Sequence, residues 1–303
     1  MSLQWFKSLF KDELWVFIHP QSITFLRLTR PLKKGLKQHI MHKQVIALPQ
    51  DLATKHLAAK QMGDNDWQIL ANYLKPMLKS AKWQGAVPTV IVSNQFARYA
   101  VIPWSNELAV EDERQAYMQH CFNLAYGDAT KAWDLRMSEP DFGQSAMASA
   151  INRGLLQVLH EVFAEADMKL AAVYPQLMLA INQTVSQIKK NHLIQSENKA
   201  VTFWLVAIQS ERVCLTLFDD SGWRLVKNVG IETDVSEQLT ALIQREIVNC
   251  NVKEDVPVLL YRPESQRNKS LKLANHQVIP VPSHQFDMQN DQALNSVPSW
   301  VLA

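Results

Sequence analysis

Several side-chain groupings in this 303-residue chain have the types that chemistry uses. His39-Ile40-Met41-His42 offers two imidazoles as a metal pair. Its setting is a strand, however, where residues three apart point to opposite faces. His120-Cys121 puts a thiol beside an imidazole, the parts of a nucleophile and its base, yet neighbours on a helix point about 100° apart. The paired carboxylates Asp64/Asp66 and Asp219/Asp220 fall at a helix start and in a turn, where capping and turn chemistry explain them. No Gly-x-Ser-x-Gly elbow anchors hydrolysis by a Ser-His-Asp triad. Cys121, Cys214 and Cys250 lie far apart, which fits buried thiols in a reducing compartment better than a disulfide framework or a zinc site. The expectation is therefore no catalytic residue, no metal and no cofactor.

One strand is richer. Between Phe96 and Trp104, Arg98 shares a face with Phe96, Ala100, Ile102 and Trp104, so a cation sits in an apolar row. It can pair with an internal acid or snorkel to the sheet edge, since buried charges are normally paired. It can also receive a partner's carboxylate through its planar fork. Arg98 and Tyr99, with Trp133 and Arg136 further on, are the candidate partner-binding residues.

Composition narrows the function classes. Glycine occurs only 8 times, where average usage of about 7% would give roughly 20. Loops that cradle phosphates need glycine so that backbone amides can approach the anion, and few such loops fit in this chain. Lys+Arg 31 against Asp+Glu 29 gives no global case for nucleic-acid binding. The positive charge is concentrated at the front: eight basic residues against Asp12 and Glu13 between Met1 and Gln44. Such an end can approach anionic lipid or an acidic partner, or simply guard a turn and sheet edge with lysines. No apolar stretch reaches the roughly 18 residues that span a bilayer, and the start does not read as a signal peptide. A soluble, cytoplasmic protein is expected.

These side chains need elements to hold them. Leu3 to Leu14 places Trp5, Phe6, Leu9 and Phe10 at helical spacing; this piece can pack on its own lobe or lie on a membrane surface. Strands are predicted at 15–18, 23–28 and 39–48, then a helix capped by Asp66 from Trp67 to about Ala81. Strands at 89–92 and 97–102 lead to a helix opened by Glu111, Asp112 and Glu113 and ended by Gly127. A hairpin over 133–137 and 145–151, a helix to Ala166, a strand at 170–174 and a helix over 176–189 follow. A polar linker, Lys189 to Lys199, precedes strands at 201–208, 212–218 and 224–229, a helix over 236–248, and strands at 256–261 and 278–281. The domain expectation is an amphipathic segment (1–14), a first lobe with an insertion subdomain (15–188), and a second lobe with a polar tail (189–303).

The halves open alike: WVFIHPQSITFLRL from Trp15 lines up with WLVAIQSERVCLTL from Trp204, an offset of 204 − 15 = 189. This duplicated β-β-β-α-β plan resembles the actin-like ATPase superfamily. VSNQFARYAVIPW (92–104), YGDATKAWDLR (126–136) and the stretch from Ala148 to Asn182 sharpen the resemblance. They are similar to the actin-like proteins of bacterial pilus and type II secretion machinery, of the PilM, GspL cytoplasmic-region and MSHA-pilus MshI types. The resemblance implies an α/β, two-lobed actin-like (duplicated ribonuclease H-like) fold with mixed sheets flanked by helices. Active members place an Asp-x-Gly turn between their first two strands. Here that turn is His19-Pro20-Gln21, its second-lobe counterpart is Gln209-Ser210-Glu211, and the final strand runs into Tyr261-Arg262-Pro263-Glu264 instead of a Gly-Gly turn. The expectation is a degenerate, non-catalytic scaffold at the inner face of a bacterial inner membrane. It would bind the cytoplasmic tail of a pilus or secretion membrane protein, or the assembly ATPase. An active ATP-binding kinase or ATPase of the superfamily is the rival. GspL continues into a membrane helix absent here, which moves the expectation toward the PilM arrangement.

Overall fold

The structure, a computed structural model, describes residues 11–29, 39–48, 64–106, 110–139, 141–191, 202–209, 212–231, 234–262, 271, 273 and 276–281. The expected N-terminal helix and polar tail lie almost wholly outside them. Glu13 and Leu14, assigned to that helix, are strand.

In chain order the strands are β1 (Glu13–His19), β2 (Ser22–Leu28), β3 (Ile40–Ala47), β4 (Val87–Val92), β5 (Ala97–Ile102), β6 (Trp133–Met137), β7 (Ala146–Asn152), β8 (Ala172–Pro175), β9 (Phe203–Gln209), β10 (Arg212–Asp219), β11 (Gly222–Gly230), β12 (Val258–Tyr261) and β13 (Val278–Val281). The helices are α1 (Asp64–Leu78), α2 (Glu111–Tyr126), α3 (Arg153–Glu165), α4 (Gln176–Asn191) and α5 (Val235–Cys250). Two compact units emerge. One holds the described residues up to Ala97 together with Ile151–Gln176; the other holds Arg98–Ala150 and the described residues from Leu177 on.

The first unit is built on a sheet of order β3-β2-β1-β4-β8. Its first three strands are antiparallel and its last two join in parallel. Leu14, Val16 and Ile18 alternate onto one face, where Trp67, Leu70, Leu74 and Leu78 of α1 and Leu155, Leu159 and Phe163 of α3 meet them. α1 begins at Asp64, so Asp66 lies in its first turn and does not precede it; the helix ends at Leu78, just past Pro76. α3 is capped by Asn152, whose Oδ1 accepts from the Gly154 amide at 2.7 Å.

The second unit repeats the plan, in the order β11-β10-β9-β12-β13, with α5 covering one face. Asp234 caps α5 through Ser236 and Glu237, and Asn251 closes it in the left-handed conformation. α4 takes in the first residues of the expected linker and runs to Asn191. Beside this sheet the unit carries a smaller one, β5-β7-β6. Met118 and Phe122 of α2 pack on its small residues Ala100, Ala146, Ala148 and Ala150.

The repeat is real, but its register differs from the expected one. His19 pairs with Ser22 across the first hairpin, and Gln209 with Arg212 across the second, an offset of 209 − 19 = 190. Leu14, Val16 and Ile18 face the first core, and Trp204, Val206 and Ile208 the second. An offset of 189 would match Trp15 to Trp204 and put every side chain on the wrong face, because strand faces alternate with period two. The shared tryptophan misled the alignment; the burial pattern corrects it.

Candidate partner-binding site

β5 carries two of the candidate residues on opposite faces. Ala100 and Ile102 turn toward α2, and Arg98, half-buried, alternates onto the same side. Phe96, expected in that row, packs instead in the first core, its ring edge-on to Trp67 at 5.9 Å. It precedes the strand, in a turn, so strand alternation does not govern it. Tyr99 points the other way and is buried; burial raises its hydroxyl pKa well above 10, with Cys214 of β10 close by. The same burial pushes the Cys214 thiol up to about 12, so it is inert as a nucleophile.

Trp133 and Arg136 belong to β6, and the structure separates them. Trp133, Leu135 and Met137 face α2, whereas Arg136 is exposed on the opposite face and pairs with Asp134 at 2.9 Å. What joins Trp133 to β5 is Tyr126. Its hydroxyl donates to the Tyr99 carbonyl at 2.8 Å, and its ring meets Trp133 edge-on at 5.3 Å and stacks on Phe122. Gly127, at φ 64, lets the chain leave α2 just after Tyr126.

A second residue absent from the candidate set, Arg212, opens β10. Its Nε donates to Asn228 Oδ1 at 2.8 Å and its Nη2 to the Asn228 carbonyl at 2.9 Å. Burial, and then the positive charge of Arg98, lower its pKa. The two guanidiniums therefore feel one another's charge, and both act on the Tyr126 hydroxyl. Planar forks of this kind suit carboxylates. No local signal in the sequence links Arg98 to Arg212, because they stand on strands of two different sheets, β5 and β10.

The hairpin turns that open the two halves carry neither Asp nor Gly. Pro20 has no amide, and the Gln21 carbonyl accepts from the Leu48 amide at 2.8 Å. Burial lowers the His19 pKa to about 4, so the ring is neutral at neutral pH. Ser210 and Glu211 of the second turn lie outside the described residues. Among the described residues no group of His, Cys, Asp and Glu has metal-holding geometry, and no helix is long and apolar enough to cross a membrane.

Duplicated five-stranded mixed sheets of one order, each flanked by helices, make this chain a two-lobed α/β protein of the actin-like fold. The solved structures it is similar to include the PilM-PilN type IV pilus biogenesis complex, at TM-score 0.59 and 12% identity over 90% of this chain and 89% of that one. They also include an actin-like ATPase-fold protein of unknown function from Bacteroides thetaiotaomicron, at TM-score 0.54 and 11% identity, covering 94% and 96% of the two chains. A third is the cytoplasmic domain of EpsL, an inner-membrane component of the type II secretion system of Vibrio cholerae, at TM-score 0.52 and 10% identity, covering 91% of each. No protein-family model and no curated protein matches the sequence.

Proposed function

We propose that this protein is a non-catalytic scaffold of a type IV-like (MSHA-like) pilus or of a type II secretion inner-membrane platform. It works on the cytoplasmic side and binds the cytoplasmic tail of a membrane partner. The observation that carries the non-catalytic part is the first hairpin turn: Pro20 offers no amide, the Gln21 carbonyl is already bonded, and His19 is uncharged. Phosphate recognition rests on donated N–H groups and positive charge, and this turn supplies little of either. The pilus and secretion setting is supported by the likeness to PilM-PilN and EpsL. For the docking itself, the candidate surface is Arg98, Trp133 and Tyr126 with Arg212 nearby, where a carboxylate and an apolar side chain of one short segment would both be satisfied. Tyr99 supports this surface from the buried side, and exposed Arg136 lies across the strand from it.

The test uses synthetic peptides of the short cytoplasmic tails of single-pass membrane proteins encoded beside this gene, immobilised and offered the full chain. One tail is expected to retain it, with Arg98→Ala and Trp133→Ala weakening retention about tenfold, the size of roughly 1.4 kcal/mol. If no tail binds and deletion of the gene leaves piliation and secretion intact, the scaffold reading is wrong.

A further inference from the structure

The first sheet ends in an edge that the surface above does not use. β3 bonds to β2 on one side, and among the described residues no strand pairs with its other side. The Leu48 amide donates to the Gln21 carbonyl, which makes Ser22↔Ala47 a pair without mutual hydrogen bonds. Alternation then gives the β2 ladder to His42, Gln44 and Ile46. It turns the N–H and C=O of Lys43, Val45 and Ala47 outward; Met41 is the extra residue at the register shift opposite Arg27 and Leu28, where the alternation breaks. The side chains follow the same division. His42, itself exposed, meets Trp83, Gln44 reaches Met77 and Ile46 packs on the core, while Lys43, Val45 and Ala47 are exposed on the other face. Met41 is 47% and Val45 57% exposed. The edge in the equivalent place of the second sheet, β11, is half-buried through its middle. Of two edges made by one duplicated plan, β3 is the open one.

We propose that β3 is a docking strand, which adds an extended acidic segment of a partner protein to the first sheet. Backbone bonds from Lys43, Val45 and Ala47 supply affinity, and the side chains directly opposite them supply specificity. Strand pairing sets residue against residue, so the segment carries an acid opposite Lys43 and an apolar side chain opposite Val45. Charge decides between this occupant and a second copy of the chain. Self-pairing centred on Lys43 opposes lysine to lysine; centred on Gln44, it sets Lys43 beside Val45. Neither gives the ammonium an opposite charge, whereas an acidic segment does. The excess of basic residues over Met1 to Gln44 strengthens the attraction at longer range. This docking strand is independent of the tail-binding surface and stands or falls without it.

Two capped peptides of alternating valine and threonine, one with a central glutamate and one with a central lysine, test the proposal against the full chain. Hydrogen exchange is read amide by amide. The glutamate peptide should newly protect Lys43, Val45 and Ala47, leaving His42, Gln44 and Ile46 as protected as before. The lysine peptide should bind at least tenfold more weakly, and Lys43→Glu should reverse that preference. Val45→Pro removes one outward donor without touching the β2 ladder, and should cost the glutamate peptide its binding. If that variant does not fold, the charge reversal at Lys43 still decides. The proposal is overturned if millimolar glutamate peptide adds no protection, or if both peptides protect equally. It is also overturned if the outward amides become protected with rising protein concentration alone, which would make the occupant a second copy.

Discussion

The imidazole of His19 is held at a pKa of about 4 by burial, below its ordinary 6.5. Between these values the unfolded chain binds the more protons, so stability rises with pH across the window. The contribution of His19 is fully present above pH 6.5 and is lost as pH falls toward 4. Urea midpoints measured from pH 7 to pH 4 should therefore fall, and the fall should be shallower in His19→Gln. An identical slope in the variant would assign the acid sensitivity elsewhere. Glu246 makes a useful contrast. Burial pushes its carboxyl up, but hydrogen bonds from Asn249 and Arg245 outweigh burial and its pKa is lowered. At this scale the sequence was legible where a rule is local. Strand alternation put Arg98 on the α2 side with Ala100 and Ile102. Tyr126 and Arg212 were not legible as neighbours of Arg98, because 212 − 98 = 114 residues of chain separate the ends of that cluster.

The elements themselves were written plainly in the pattern. Period-two runs gave the strands, and the acidic Glu111-Asp112-Glu113 with Gly127 marked both ends of α2. What the pattern did not show was how the small sheet is tied to the β10–β11 hairpin. Ser145 forms a parallel bridge with Gly222, its amide and hydroxyl both bonding to the Ser221 carbonyl. Gly222 is at φ +93, and a Cβ there would lie 2.6 Å from the Ser145 carbonyl oxygen. Gly222→Ala should destabilise by roughly 2–4 kcal/mol, combining backbone strain with a contact that must open. Gly85→Ala is the control: φ +79, but nothing within 4 Å, so strain alone and about 1 kcal/mol. Denaturant midpoints at unchanged slope give both values. Equal losses would mean that the bridge yields freely and does not fasten the hairpin.

For the molecule as a whole, the question is whether the actin-like plan still serves nucleotide. Calorimetry with Mg-ATP should give no saturable heat at millimolar nucleotide; micromolar affinity would sink the non-catalytic reading and promote an active ATPase. Duplication was legible because both halves begin with apolar hairpins, and its register was not, because a tryptophan shared by the two halves outweighed the face each position must bury. The sheet order carries one more consequence, for the time during which the chain is made. β4 is buried along almost its whole length, yet its outer neighbour β8 begins only at Ala172, with the small sheet, α2 and α3 intervening. At about 5–20 residues per second, the ribosome delivers those residues over several seconds. Through that interval a nascent chain presents the bare apolar edge Val-Pro-Thr-Val-Ile-Val to solvent. A chaperone that covers this edge must arrive before the eighth strand.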